Sequence, residues 1–303
     1  MLNSRLRRLL SCALLLAAGT SLAAGRPPPR DDPPEETVFF PSADGRTELV
    51  GYVFLPRGAG PHAAVVMLHG RAGPYSSNVN AGCTLVARGQ PSPCEARTLS
   101  RRHMMWGRFW AGRGHIALHV DSFGPRGKAH GFGRGTHDDP AREDVNERSV
   151  RPLDAIGALR YLRSRTDVAA DRIGLQGWSN GASTVLNTVA AAHALGGAWA
   201  GTAPFRAALA FYPGCGKTAV NERNYHPAVP LLVLLGDADE EVSPEICARL
   251  LAPAAAAGLE VRRYPGATHD FDDPGRQQLP ANAAARADAM TAAEQLFAQR
   301  LAP

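Results

Sequence analysis

Apolar and polar positions along the chain fall into two alternating patterns. Short β-type runs, several of them apolar throughout and rich in Val, Leu and Ala, predict strands at Glu48–Phe54, Ala63–Leu68, His115–Val120, Arg172–Gln176, Ala207–Tyr212, Leu231–Leu235 and Glu260–Tyr264. Helical spacing is predicted between most of them, over Leu99–Gly112, Pro152–Arg165, Asn180–His193, Pro244–Ala257 and Ala283–Leu301, with Pro152 and Pro244 suited to a first helical turn. Strands that are apolar on both faces belong in a parallel sheet covered by helices on each side. The expected fold is therefore α/β, with a mostly parallel central sheet of about seven to eight strands. Ligand sites in such sheets form beyond the carboxyl ends of the strands, so chemistry is sought there. The stretches Gly70–Thr98 and Asp121–Ser149 read as long loops, a length that in a compact domain usually shapes a site.

The amino terminus stands outside this alternation. Arg5, Arg7 and Arg8 precede an apolar stretch from Leu9 to Ala18 and the small residues around Ser21-Leu22-Ala23, the pattern of an export signal over 1–24. The apolar stretch is shorter than the ~20 residues that span a bilayer, so no stable membrane span is expected after cleavage. Arg7-Arg8 leaves the general and twin-arginine export routes both open. Residues 25–37 are rich in proline and charge and read as a flexible lead-in, with a single catalytic domain over 38–303 beginning near Val38.

Removing the signal takes away three of the 33 basic residues and none of the 28 acidic ones, which leaves 30 against 28 and a net charge of +2. A balance so close to neutral implies no nucleic-acid partner. The cysteine count falls from five to four, Cys83, Cys94, Cys215 and Cys247. An even number in an exported chain favours disulfides. Closeness along the chain pairs Cys83 with Cys94 and Cys215 with Cys247, although four cysteines allow three connectivities.

The candidate chemistry centres on Gly177-Trp178-Ser179-Asn180-Gly181, which leaves one predicted strand and enters a predicted helix. A G-x-S-x-G turn of this kind exposes a serine hydroxyl on a sharp elbow, and its glycines permit a close approach that side chains would obstruct. A serine needs a base and an orienting acid. Asp237 and Asp239 follow the strand ending at Leu235, and His269 follows the strand ending at Tyr264. Asp239 is preferred, because a residue a few positions past a strand end can fold back toward the histidine. The catalytic set read from the sequence is therefore Ser179, Asp239 and His269. Leu68-His69-Gly70-Arg71 leaves an earlier strand where backbone N–H groups can form an oxyanion hole, with Arg71 as one donor and Asn180 as the other, while His69 braces the loop. Arg126, just past a strand end, and Trp178 are candidate substrate contacts. His130, His137, Asp138 and Asp139 lack the spacing of a zinc or calcium site, and neither a metal nor a cofactor is expected. Trp106, Phe109 and Trp110 lie at helical spacing and read as packing.

With these residues in place, the chain resembles the dienelactone hydrolase family of α/β-hydrolases over most of Val38–Leu301. The resemblance rests on Leu68-His69-Gly70, Asp121-Ser122-Phe123 to Arg126-Gly127, Asp171-Arg172-Ile173-Gly174, Phe211-Tyr212-Pro213-Gly214-Cys215, Gly236-Asp237-Ala238-Asp239 and Tyr264-Pro265-Gly266-Ala267-Thr268-His269-Asp270-Phe271. It implies an exported member with a serine nucleophile and the triad Ser179, Asp239 and His269, acting on a small-molecule ester or lactone through an acyl-enzyme. Peptide or amide hydrolysis on the same fold, and a binding protein without turnover, are the alternatives. The chain departs from the dienelactone-cleaving members, which carry cysteine at the elbow and an acidic residue where this chain has Gly70-Arg71. That departure argues against dienelactone itself as substrate. The cysteine-bearing insert Gly70–Thr98 is expected to reshape the mouth of the pocket.

Overall fold

A computed structural model describes residues 34–79, 82–136, 138–190, 205–221, 224–254, 258–276 and 279–303. The signal segment 1–24, most of the lead-in, His137 and His193 lie outside the described residues. Eight strands, β1 (Glu36–Pro41), β2 (Glu48–Phe54), β3 (His62–Leu68), β4 (Ile116–Asp121), β5 (Val168–Trp178), β6 (Ala207–Phe211), β7 (Leu231–Gly236) and β8 (Leu259–Tyr264), form one sheet in the order β1-β2-β4-β3-β5-β6-β7-β8. The strands from β4 and β3 through β8 are parallel, and β1 and β2 run antiparallel at one edge. The seven predicted strands are all present, most shifted by a residue or two at their ends. β1 is an addition. It starts at Glu36, inside the expected lead-in and two residues before Val38, because Val38, Phe39 and Phe40 pair with Gly51, Val50 and Leu49 of β2.

The all-apolar strands serve two cores at once, since successive side chains point to opposite faces of a sheet. In β3, Ala64, Val66 and Leu68 face the core built with α2 (Arg151–Ser164), α3 (Asn180–Val189) and α4 (Pro244–Leu251). Ala63, Val65 and Met67 face the core built with α1 (Arg101–Ala111) and α5 (Pro280–Arg300). Trp106, Phe109 and Trp110 of α1 pack in that second core, as their spacing predicts. Helix α1 begins at an N-cap, Ser100, whose side chain accepts a bond from the His103 N–H. This placement brings the first turn of α1 to the carboxyl ends of the parallel strands. Cys83 is bonded to Cys94 and Cys215 to Cys247, so of the three connectivities open to the sequence this one is present. Among the described residues, no helix is long and apolar enough to cross a membrane.

Candidate active site

Ser179 sits between β5 and α3 in a turn tight enough to demand glycine on both sides. A Cβ at Gly177 would lie 2.4 Å from the Gly181 carbonyl oxygen, and one at Gly181 would lie 2.2 Å from the Leu68 carbonyl oxygen. Ser179 itself has φ of 51°, an unfavourable conformation for a residue with a side chain, and is held by a 2.9 Å bond from its N–H to the Phe211 carbonyl at the end of β6. The hydroxyl is thereby presented at the carboxyl ends of β3, β5 and β6.

The candidate base and acid converge there from separate strand ends. His269 Nε2 lies 3.0 Å from Ser179 Oγ, and His269 Nδ1 lies 2.7 Å from Asp239 Oδ2. The second carboxylate oxygen of Asp239 accepts the N–H groups of Glu241 at 2.8 Å and Val242 at 2.9 Å, which fixes its orientation. Asp237 points elsewhere, to Arg263 at 2.6 Å. Burial works against a charged His269, but the bond to Asp239, with the charges of Asp270, Asp239 and Glu241, outweighs it and raises the pKa above the ordinary histidine value.

The expected oxyanion donors flank the serine. Asn180 is the first residue of α3, where a backbone N–H has no intrahelical acceptor. Gly70 passes beside the nucleophile, since a Cβ there would lie 3.5 Å from Ser179 Cβ, and Arg71 follows it. Arg71 is clasped from several directions. Its carbonyl accepts the Phe132 N–H at 2.9 Å, its Nη1 donates to the Phe132 carbonyl at 3.0 Å, and Nε and Nη2 donate to Glu241 Oε2 at 3.0 and 2.7 Å. His69 is a brace, as expected, with Nδ1 2.7 Å from the Gly70 carbonyl and Nε2 accepting from the Ser122 N–H at 3.2 Å.

Two sequence-based expectations need correction. Arg126 does not reach the cavity: it donates to both oxygens of Asp154 at 2.8 and 2.9 Å and to Asp44 at 3.1 Å, bridging α2 to the β1–β2 turn. Trp178 is fully buried on the α1 side of the sheet, because strand alternation turns it away from the serine that follows. Its Nε1 donates to Asp272 Oδ2 at 2.8 Å, alongside Trp106 Nε1 at the same distance. In the loop around His130, Asp139 caps a short 3₁₀ helix by accepting from the Ala141 N–H, and His130 lines the cavity.

The cavity over Ser179 and His269 has a volume of about 430 Å³. The insert contributes Ser76, Val79 and the Cys83–Cys94 disulfide to its wall, which agrees with the role expected of it. Several wall residues carry no family motif and were not singled out from the sequence. Arg102, from the first turn of α1, donates to Asp270 at 2.7 Å, Asp273 at 3.0 Å and the Tyr212 hydroxyl at 3.0 Å. Glu241 stands between Arg71 and His269, its Oε2 3.8 Å from His269 Nε2. Glu241, His269 and Asp270 approach closely enough to be considered as metal ligands, but each is already engaged, by Arg71, by Asp239 and by Arg102.

An eight-stranded, mostly parallel sheet with helices on both faces and a serine elbow at its strand ends defines an α/β-hydrolase. Residues 113–301 match the model of the dienelactone hydrolase family, and the chain belongs to that family. No curated protein sequence matches it. Solved structures of similar fold include the apo form of esterase 2 from Thermogutta terrifontis, with a TM-score of 0.59 at 19% identity, covering 92% of this chain and 99% of that one. A dienelactone hydrolase-like promiscuous phosphotriesterase, P91, from metagenomic libraries has a TM-score of 0.60 at 20% identity, covering 88% of this chain and 97% of the other. A putative dienelactone hydrolase from Klebsiella pneumoniae has a TM-score of 0.61 at 16% identity over 87% of this chain and 99% of its own.

Proposed function

We propose that this protein hydrolyses carboxylic esters or lactones through an acyl-enzyme on Ser179. The observation that carries the reading is the unbroken relay from Ser179 Oγ to His269 Nε2 at 3.0 Å and from His269 Nδ1 to Asp239 at 2.7 Å. His269 takes the hydroxyl proton as Ser179 attacks the carbonyl carbon, and Asp239 stabilises the imidazolium that forms. The backbone N–H groups of Arg71 and Asn180 receive the charge that develops on the carbonyl oxygen. The imidazolium then gives its proton to the leaving alkoxide. A water, deprotonated by His269, attacks the acyl-enzyme and the same steps return Ser179. Because the base must be neutral, kcat/KM falls on the acid side of the His269 pKa, which its carboxylate neighbours hold above the ordinary value.

A cavity of about 430 Å³ whose wall includes Arg71, Arg102, Glu241 and Asp270 beside serines, glycines and a disulfide suits small esters better than long acyl chains. The Thermogutta esterase 2 has been seen with propionate and butyrate bound and phosphorylated by paraoxon, which supports short acyl groups and organophosphate labelling as first probes. We further propose that the chain is exported, a reading supported by the amino-terminal signal pattern and the two disulfides. Nitrophenyl esters of increasing acyl length, with a lactone and a peptide amide included, test the activity, and a fluorophosphonate tests the nucleophile. The expected result is turnover of short esters, labelling at Ser179, and loss of both in Ser179→Ala. Esterase activity retained by Ser179→Ala removes the proposal. Faster amide than ester cleavage moves the reading to peptide hydrolysis, and a folded protein that neither labels nor turns over is a binding protein on a hydrolase fold.

A further inference from the structure

We infer that Glu241 is a positioning residue for the reaction, tying the oxyanion loop to the acid loop and setting the charge beside the imidazole. This inference rests on the acyl-enzyme reading above. Glu241 acts in two directions from one residue. Its backbone N–H donates to Asp239 Oδ1 at 2.8 Å, so it helps aim the acid that orients His269. Its side chain, 8% exposed, takes the Arg71 guanidinium on Oε2 through Nε and Nη2, while Oε1 meets Arg134 at 2.8 Å. Arg71 is the residue whose backbone N–H is assigned to the oxyanion, and its other anchors are both on Phe132. Glu241 therefore sets one end of a splint that decides where that N–H points.

The same Oε2 lies 3.8 Å from His269 Nε2, on the nitrogen that exchanges the proton with Ser179. A carboxylate there favours the imidazolium over the neutral ring. The other charged groups facing His269 are Asp239 on Nδ1, Asp270 beside it, and Glu240, which accepts the His269 backbone N–H at 3.1 Å. Arg71 and Arg134 on Glu241, and Arg102 on Asp270, offset part of that negative charge, and the Tyr212 ring packs against the imidazole at 4.6 Å. Of the groups near Nε2, Glu241 is the one whose carboxylate can be neutralised without disturbing the bond between Asp239 and His269.

Positioning and charge separate experimentally. Glu241→Gln keeps an oxygen for Arg71 and loses the charge, so the acid limb of kcat/KM against pH moves to lower pH by about half a pH unit, with kcat within about threefold of the parent. Glu241→Ala loses both roles and lowers kcat about tenfold or more with little change in KM, since the loss falls on the transition state. Arg71→Ala keeps its backbone N–H but leaves Glu241 facing the imidazole with Arg134 alone. Its acid limb moves the other way, to higher pH, which a residue serving only stability would not produce. The profiles are measured with one nitrophenyl ester, and the rate of fluorophosphonate labelling against pH gives a second readout if turnover is too slow. Profiles of Glu241→Gln and Arg71→Ala that superimpose on the parent overturn the inference, as does a Glu241→Ala that keeps full kcat. Should Glu241→Gln fail to fold, the direction of the Arg71→Ala shift decides alone. Ser179→Ala is run alongside: if it retains activity, the acyl-enzyme reading falls, whereas an inactive Ser179→Ala with unshifted profiles removes only the role of Glu241.

Discussion

Asp272 sits beneath the candidate site with no exposed surface, and replacing it should cost stability in an amount that depends on which replacement is made. Its Oδ2 accepts both the Trp106 and the Trp178 indole N–H at 2.8 Å, and its Oδ1 accepts the Tyr212 hydroxyl. Asp272→Ala leaves three buried donors without an acceptor. At about 1–3 kcal/mol for each stranded donor, less what relaxation recovers, the loss is about 3–5 kcal/mol. Arg102 adds little to it, because Oδ1 of Asp272 is 3.9 Å away while Asp270 and Asp273 hold the guanidinium at 2.7 and 3.0 Å. Asp272→Asn can keep its oxygen toward the two indoles and offer its amide to the Tyr212 oxygen, so about 1–2 kcal/mol is expected. Urea unfolding under non-reducing conditions reads the difference: with a slope of about 3 kcal/mol/M, the alanine variant should unfold about 1–1.7 M earlier and the asparagine variant about 0.5 M earlier. Burial raises the Asp272 pKa more than Arg102, Tyr212 and Trp106 lower it. A carboxyl raised in the folded state contributes stability that is complete below its unfolded pKa and is lost as pH rises through the folded one. The gap between parent and asparagine variant should therefore be widest at low pH and narrow as pH climbs past the ordinary aspartate range. An alanine midpoint within about 0.3 M of the parent, roughly the resolution of the method, refutes the reasoning, and so does an asparagine variant as unstable as the alanine one.

Asp239→Asn reverses the group facing His269 Nδ1, holds the wrong tautomer, and should lower kcat by about 10⁴-fold. Asp237→Asn, which disturbs only an exposed pair with Arg263, should leave turnover and folding within about 0.5 kcal/mol of the parent, and equal losses in the two variants would reject Asp239 as the acid. Gly181→Ala places a Cβ 2.2 Å from the Leu68 carbonyl oxygen, so the elbow must open. A destabilisation of about 1–3 kcal/mol and a fall in kcat/KM of about 100-fold are expected, and an alanine variant with parental kinetics would show that the turn tolerates movement.

The fold was legible because several strands are apolar throughout, a pattern that a doubly covered sheet requires, and because each run is short. Edge strand β1 escaped because it follows a proline-rich stretch and its Glu36-Thr37 start has no apolar signal; its order comes from pairing with β2, which lies across a turn and not within the segment itself. The meeting of Ser179, Asp239 and His269 was readable because strand ends constrain where such residues can come together. Arg126 and Trp178 were read from the same proximity and lead elsewhere, since closeness to a strand end does not say which face a side chain takes. Glu241 and Arg102 had no signal at all. Glu241 is one of three consecutive acidic positions after Ala238, and Arg102 is one of two arginines opening an amphipathic helix. Their partners, Arg71 and the Asp270 to Asp273 segment, are about 170 residues away along the chain.

That distance bears on what holds the site in shape. Three residues other than glycine have left-handed backbones in the described chain, Ser179 at 51°, Tyr212 at 41° and Asp270 at 60°, and they lie after β5, β6 and β8 at the same end of the sheet. Each such conformation costs about 1–3 kcal/mol and persists only where its surroundings impose it. Ser179 is held through its own N–H by the Phe211 carbonyl, one residue before Tyr212. Tyr212 is held by its hydroxyl, between Asp272 and Arg102, and Asp270 is held by Arg102 directly. The strain at the three strand ends is thus offset by one buried network in which Arg102 and Trp106 come from α1. Helix α1 ends at Ala111, before the residues 113–301 that match the family, so Ser179, Asp239 and His269 lie within the matched segment while part of what fixes the backbone around them lies outside it. On the proposed mechanism, Arg102→Ala, which spares Ser179, Asp239 and His269, should therefore lower turnover through the His269 loop, because Arg102 is the cation that holds the Asp270 carboxylate at 2.7 Å.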